Sequence, residues 1–174
     1  MSVRKTHNTK EIAYFITFTC INWIPLIELT DLYGNIYSWF DRLNNENELI
    51  LGYVIMPNHL HFLLYHQDPE RTLNKIIGEG KRFLAYEILK RLKNNFKSDL
   101  LPNILSDYVT LNEKTKGQKH KVWDDSFDAK PVYSKRVAEQ KLQYIHINPV
   151  KGAWHLVKDF ALYPHSSAGY YLSA

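Results

Sequence analysis

Two histidines stand one residue apart in Met56-Pro57-Asn58-His59-Leu60-His61-Phe62-Leu63-Leu64, inside an apolar run of strand-forming composition. Alternation along an extended chain puts His59 and His61 on one side and Leu60 and Phe62 on the other. Two neutral imidazoles converging on one point suit zinc, manganese or another divalent cation. A lone strand histidine is ordinarily a hydrogen-bonded structural residue, so the pair needs further ligands to become a site. His66 has the opposite parity to His61 and reads as a surface residue.

Candidates for the further groups lie near the C-terminus, in Tyr144-Ile145-His146-Ile147-Asn148-Pro149-Val150. Tyr144 and Asn148 are four apart and share one face of a helix, whereas His146 points elsewhere. The Asn148 carboxamide oxygen can complete a coordination sphere while Tyr144 presents its hydroxyl beside it, with Gln140 and Gln143 as neighbouring alternatives. A second kind of chemistry is suggested by charge. Lys81, Arg82, Lys90, Arg91, Lys93 and Lys97 outnumber Glu79 and Glu87 along one segment, and Lys114, Lys116, Lys119 and Lys121 follow. Such clusters track phosphates, although a solvated helix face looks the same. Trp123, Tyr133 and Trp154 are candidates for stacking on bases, against the plainer role of core packing.

These groups must be positioned by a chain of 174 residues, 45% hydrophobic, which suffices for a single domain over residues 1–174. The charge of +4 and pI near 9.0 lean toward an anionic partner. Cys20 is the only cysteine, excluding an internal disulfide framework and any cysteine-based zinc cluster. No apolar stretch is long enough for a membrane helix and no signal peptide is apparent, so a soluble cytoplasmic protein is expected.

The pattern predicts a strand over 12–21, then a helix over 30–47 capped by Thr30 or Asp31. Strands over 49–56 and 59–66 follow, joined at Pro57-Asn58, and then a long helix over 69–96 in which Gly78 and Gly80 mark a kink or a close approach. Residues 97–121 read as an exposed, mobile basic loop. A strand within 122–133 precedes a helix over 134–148, capped by Ser134 and ended by Pro149. The order strand, helix, strand, strand, helix, strand, helix implies an α+β, two-layer ferredoxin-like or RRM-like domain with a mainly antiparallel sheet.

Taken together, "MPNHLHFLL" and "YIHINPVKGAWHLV" resemble the single-tyrosine HUH transposases of the IS200-like group, in particular the REP-associated tyrosine transposase branch. The resemblance extends to "AYFITFTCINWIPLI", "VWDDSFDAKPVYS" and "YPHSSAGYY", and leaves 97–121 unmatched. It implies His59 and His61 as metal ligands, Asn148 as the third, and Tyr144 as a nucleophile. The implied activity is cleavage and rejoining of single-stranded DNA at hairpins through a covalent 5′-phosphotyrosine, with a free 3′-hydroxyl, as in DNA transposition. The implied cofactor is Mg2+ or Mn2+, and two imidazoles make manganese at least as suitable as magnesium. The partner would be single-stranded or hairpin DNA, with no membrane partner. A homodimer is expected, with monomeric action as the alternative. Two rival functions remain in view: a cleavage-inactive, domesticated hairpin-binding protein, and a metal-dependent nuclease that uses water.

Overall fold

A computed structural model describes residues 12–68, 70–95, 100–152 and 154–173; the N-terminal tail and Lys97 lie outside the described residues. Strand β1 (Ile12–Thr19) is followed by helices α1 (Leu26–Leu29) and α2 (Tyr33–Asn45). Strands β2 (Glu48–Ile55) and β3 (His59–His66) form a hairpin, and α3 (Leu73–Asn95) runs back from it. Next come α4 (Leu100–Asp107), α5 (Leu111–Thr115), β4 (Asp128–Val132), α6 (Lys135–Ile147) and α7 (Ala168–Ser173). The strands form one antiparallel sheet in the order β2-β3-β1-β4. The expected α+β arrangement of a helical layer on an antiparallel sheet is therefore present.

One face of the sheet carries Tyr14, Ile16 and Phe18 from β1 and Leu60, Phe62 and Leu64 from β3, all buried. They pack with Ile36, Trp39, Phe40 and Leu43 of α2 and Ile76, Ile77, Leu84, Ile88 and Leu92 of α3 in the main core. Gly80 marks the close approach expected of it: a Cβ there would meet the Trp39 ring at 2.3 Å, so only glycine lets α3 lie this near α2. The other face carries Phe15, Val54, Leu63 and Val132, covered by Ile145 of α6 and by Tyr163, with Trp154, Leu156 and Val157 packed around them. A Cβ on Gly52 would lie 2.4 Å from Leu142, so α6 also rests close on β2. Ser134 caps α6 as expected, its side chain accepting from the Val137 amide. Pro131 is tolerated because β4 is an edge strand.

Three local expectations are corrected. Residues 97–121 include two helices, α4 and α5, and α5 begins with a capping box in which Thr110 and Glu113 satisfy each other's backbone amides. The cap of α2 is Leu32, without a side-chain bond, because the Thr30 hydroxyl donates instead to the Leu26 carbonyl. His66 is not at the surface: it is 1% exposed and hydrogen-bonded to Glu48 at 2.7 Å, because its face of β3 is the one that α2 and α3 cover. No helix among the described residues is long and apolar enough to cross a membrane.

Candidate active site

The α6 face of the sheet is where the sequence-derived residues meet. Its central row runs Val54, His61, Thr17, Asp128 across the four strands, with His59 opposite Thr19 in the next row. The His59 and His61 rings lie 4.8 Å apart between centroids, as their spacing requires. Asn58 Oδ1 is 2.6 Å from His59 Nδ1, while Asn58 Nδ2 donates to the Trp23 carbonyl at 2.8 Å. An amide oxygen only accepts, so His59 carries its hydrogen on Nδ1 and keeps the Nε2 lone pair. Thr17 Oγ1 occupies His61 Nδ1 at 2.7 Å, so Nε2 is the nitrogen of that ring left to face a ligand. These are the orienting bonds that fix an imidazole for coordination.

Electrostatics keep both rings neutral. Burial pushes His59 down to about 4, opposed in part by a hydrogen bond with Asn148. His61 is pushed down to about 3, by burial first and then by the charges of His59 and Lys141. Neutral imidazole is the form that binds a metal, so neither ring needs to lose a proton at neutral pH. Asn148, at the C-terminal end of α6, thus reaches His59 with a carboxamide, and the donor set of two imidazoles and one amide oxygen fits a divalent cation. Among the described residues no group of three or more His, Cys, Asp or Glu side chains could hold a metal, so within them a third side-chain donor to this pair would be of another type, such as the Asn148 carboxamide.

Tyr144 stands beside the pair. Its ring meets His61 edge-on at 5.3 Å and Phe15 at 5.8 Å, and the side chain remains 45% exposed. It is held by aromatic contacts and open to solvent. His146 points away, as expected, and bonds Ser167 at 2.9 Å. Gln140 and Gln143 are exposed.

The basic residues divide. Arg82, Lys90 and Lys93 are exposed and line a groove of about 1700 Å³ between α3 and residues 116–131, together with Lys116 and Lys119. Lys81 also borders it but donates to the Asp124 carbonyl at 2.7 Å. Arg91 is committed elsewhere, bonding the Thr30 and Asp31 carbonyls and Asn35 Oδ1, and so clamps the turn before α2. Lys121 is buried between Glu113 at 3.1 Å and Asp125 at 2.5 Å. Lys114 is exposed on α5. Trp123 and Trp154 pack into the two cores, whereas Tyr133 is exposed beside the groove.

Sequence reasoning missed Asn58, Thr17, Phe15, Lys141 and Trp23. Asn58 adjoins His59, and Lys141 lies one turn before Tyr144, so spacing alone could have found both. Trp23 is 62% exposed with its ring 5.7 Å from His59, carried there by left-handed backbone at Asn22 and Trp23 (φ 49° and 58°). Nothing in a run of ordinary L-residues announces that turn.

The chain matches no protein-family profile and no curated protein. Among solved structures it is similar to a REP-associated tyrosine transposase bound to a REP hairpin, with 20% identity, a TM-score of 0.63, and coverage of 99% of this chain and 86% of that one. A putative transposase from Deinococcus radiodurans R1 is also similar, at 17% identity and a TM-score of 0.40, covering 82% of this chain and 95% of that one. At this level of identity the first likeness is one of fold, and it spans nearly the whole chain: this protein has the fold of the REP-associated tyrosine transposase.

Proposed function

We propose that this protein is a transposase-type enzyme that nicks and rejoins single-stranded DNA at hairpins, through a covalent bond between Tyr144 and a 5′-phosphate. The observation that supports this most directly is the juxtaposition of the exposed Tyr144 ring with a neutral, pre-oriented histidine pair in the same chain. One chain supplies every group, so the reading requires no second copy. The fold neighbour's REP hairpin favours DNA hairpins as the substrate class.

A phenol of ordinary pKa near 10 is a weak nucleophile at neutral pH, so the phosphate must be made more electrophilic. A divalent cation, Mg2+ or Mn2+, held by His59, His61 and Asn148, would neutralise charge on a non-bridging phosphate oxygen. Phe15 and His61 fix the Tyr144 ring, which shortens the search for in-line geometry. The Tyr144 oxygen forms a bond to phosphorus, the bond from phosphorus to the 3′-oxygen breaks, and the phenolic proton is released as the 3′-hydroxyl is completed. Attack by a 3′-hydroxyl on the phosphotyrosine reverses these steps, so rejoining needs no outside energy.

DNA has a path to this face. The groove of Arg82, Lys90, Lys93, Lys116 and Lys119 lies on the α3 side of the sheet, and the histidines lie on the other. A bound nucleic acid would turn around the β4 edge, passing exposed Tyr133, with duplex phosphates in the groove and single strand near Tyr144 and Trp23.

The test is denaturing electrophoresis of the protein mixed with labelled hairpin DNA and manganese or magnesium, beside Tyr144→Phe. A metal-dependent shifted band, missing in Tyr144→Phe although that variant binds the DNA as tightly, is the expected result. Tight binding without an adduct would leave a hairpin-binding protein; cleavage without an adduct would leave a nuclease using water. Cleavage with magnesium and never with manganese would overturn the two-imidazole metal site.

A further inference from the structure

One charged residue beside the candidate nucleophile has no role in the steps above. Lys141 precedes Tyr144 by three residues on α6, and its ammonium lies 4.7 Å from the centroid of the Phe15 ring. The same ring stacks on His61 at 5.5 Å and meets Tyr144 at 5.8 Å. Lys141, Tyr144 and His61 are therefore gathered around one aromatic side chain. Nearby lysines are paired, Lys130 with Asp128 at 3.1 Å and Lys135 with Glu139 at 3.8 Å. Lys141 has no ion-pair partner among the described residues, although Asp128 occupies the same row of the sheet as Thr17 and His61.

The balance of charge at this face is thus unusual. Its donor groups are two neutral imidazoles and a carboxamide, the Asp128 carboxylate in the same row is already engaged by Lys130, and the face holds an ammonium that is unpaired among the described residues and whose charge reaches His61. A divalent cation at the histidines would add to the positive charge. Two cationic centres without an intervening anion repel, whereas a phosphodiester between them satisfies both. Stacking over Phe15 holds the ammonium at the site without neutralising it, as a carboxylate partner would.

We propose that Lys141 binds a non-bridging oxygen of the scissile phosphodiester, opposite the histidine pair and beside Tyr144. The assignment rests on the covalent reading above for its importance to rate, but it makes a separate statement about binding. The rival role is packing, in which the lysine stem merely shields Phe15 and the ammonium faces water.

The decisive comparison uses Tyr144→Phe, which cannot form the adduct, in the presence of manganese. Its affinity is measured for hairpin DNA carrying an ordinary scissile phosphate and for the same DNA with a methylphosphonate there, where a methyl group replaces a non-bridging oxygen and removes the charge. Tyr144→Phe should prefer the ordinary strand by about 10-fold, the size of a charge-assisted hydrogen bond. Adding Lys141→Met, which keeps the stem, should abolish most of that preference, and adding Lys141→Arg should preserve it. A preference that survives Lys141→Met, or that is missing at the outset, overturns the assignment. With Tyr144 intact, Lys141→Met should slow adduct formation by roughly 10²-fold. Failure of the wild-type chain to form any adduct would sink the covalent reading while leaving the binding comparison to decide Lys141.

Discussion

Strand β3 carries histidines on both of its faces, and they are buried to nearly the same degree: His59 5%, His61 7% and His66 1% exposed. What separates them is the company they keep. His66 faces Glu48 across the β2–β3 hairpin, with Nδ1 at 2.7 and 2.9 Å from the two carboxylate oxygens, beneath the α2 and α3 layer. His59 and His61 take their orienting hydrogen bonds from Asn58, Thr17 and Asn148, which are all uncharged, and the charge that Lys141 adds near His61 is positive rather than negative. An imidazole with a buried carboxylate has its charge partner inside the folded chain. One oriented by neutral groups, with a ring nitrogen free, is left with capacity for a cation. Burial marks both kinds; the partner distinguishes them.

This contrast is broken most directly by substitution on either face. His61→Ala should reduce metal-dependent adduct formation by roughly 10³-fold, the scale of losing a group that manages transition-state charge. His66→Ala should do the reverse, leaving adduct formation by the folded protein near normal while lowering unfolding free energy by about 3–5 kcal/mol, because Glu48 is left buried without its partner. Urea denaturation and the electrophoretic assay on the same two proteins check both. A large activity loss in His66→Ala with unchanged stability would remove the distinction.

The two faces should also respond to pH with opposite signs. His59 and His61 have folded values of about 4 and about 3 against an ordinary 6.5. The unfolded chain binds more protons in that window, so their contribution is fully present above 6.5 and is lost as pH falls toward 3–4. A tenfold change in proton affinity is worth about 1.4 kcal/mol, so two rings displaced this far make the pH dependence steep. Glu48 is raised from 4.5 by burial, against the lowering effect of His66. Its contribution is therefore present below 4.5 and lost as pH rises through the folded value. His59→Gln with His61→Gln should flatten the acid limb of stability between pH 6.5 and 4, and Glu48→Gln should gain on the wild type as pH rises; denaturation midpoints across pH 4–8 would show both.

The α6 face was readable because its residues sit on strictly periodic elements. Parity on β3 paired His59 with His61, and the four-residue spacing on α6 paired Tyr144 with Asn148; hydrophobic patterning then supplied the strands and helices that bring the two pairs together. Parity also placed His66 on the opposite face correctly. The surface expectation for His66 fails because Leu60, Phe62 and Leu64, its companions on that face, make it the covered one. Long-range partners were harder: Glu48 lies 18 residues from His66, and a register irregularity between Ile50 and Gly52 intervenes. In residues 97–121 the lysines, asparagines and glycine outweighed a local signal, since Thr110-x-x-Glu113 before α5 is a legible capping box.

A smaller effect sharpens the account of the α6 face. Trp23 is joined to His59 through Asn58, whose two ends bond the Trp23 carbonyl and His59 Nδ1. That bond fixes the Trp23 backbone at the rim of the site, and its exposed ring, 5.7 Å from His59, offers a surface on which an unpaired base can stack. Trp23→Ala should weaken binding of hairpins with a single-stranded flank by about 1–3 kcal/mol, while binding of a blunt hairpin stays unchanged. Equal loss for both DNAs would mean that Trp23 supports the loop and touches no base.

The smallest expected effect lies farthest from both histidine sets. Thr110 and Glu113 cap α5, and Glu113 also holds Lys121 at 3.1 Å. The hydrogen bonds from Thr110, with Lys121 adding to them, hold the Glu113 carboxyl down at about 2, so this contribution is present above pH 4.5 and disappears only as pH falls through about 2. That window lies largely below the one assigned to His59 and His61. Thr110→Ala should cost about 1 kcal/mol of stability. Because it alters no group on the α6 face, its adduct yield and the acid limb above pH 4 should match the wild type. A Thr110→Ala protein that lost adduct formation would instead show that the segment bearing Lys116 and Lys119 is coupled to the site, and would tie the groove to the chemistry more tightly than charge alone does.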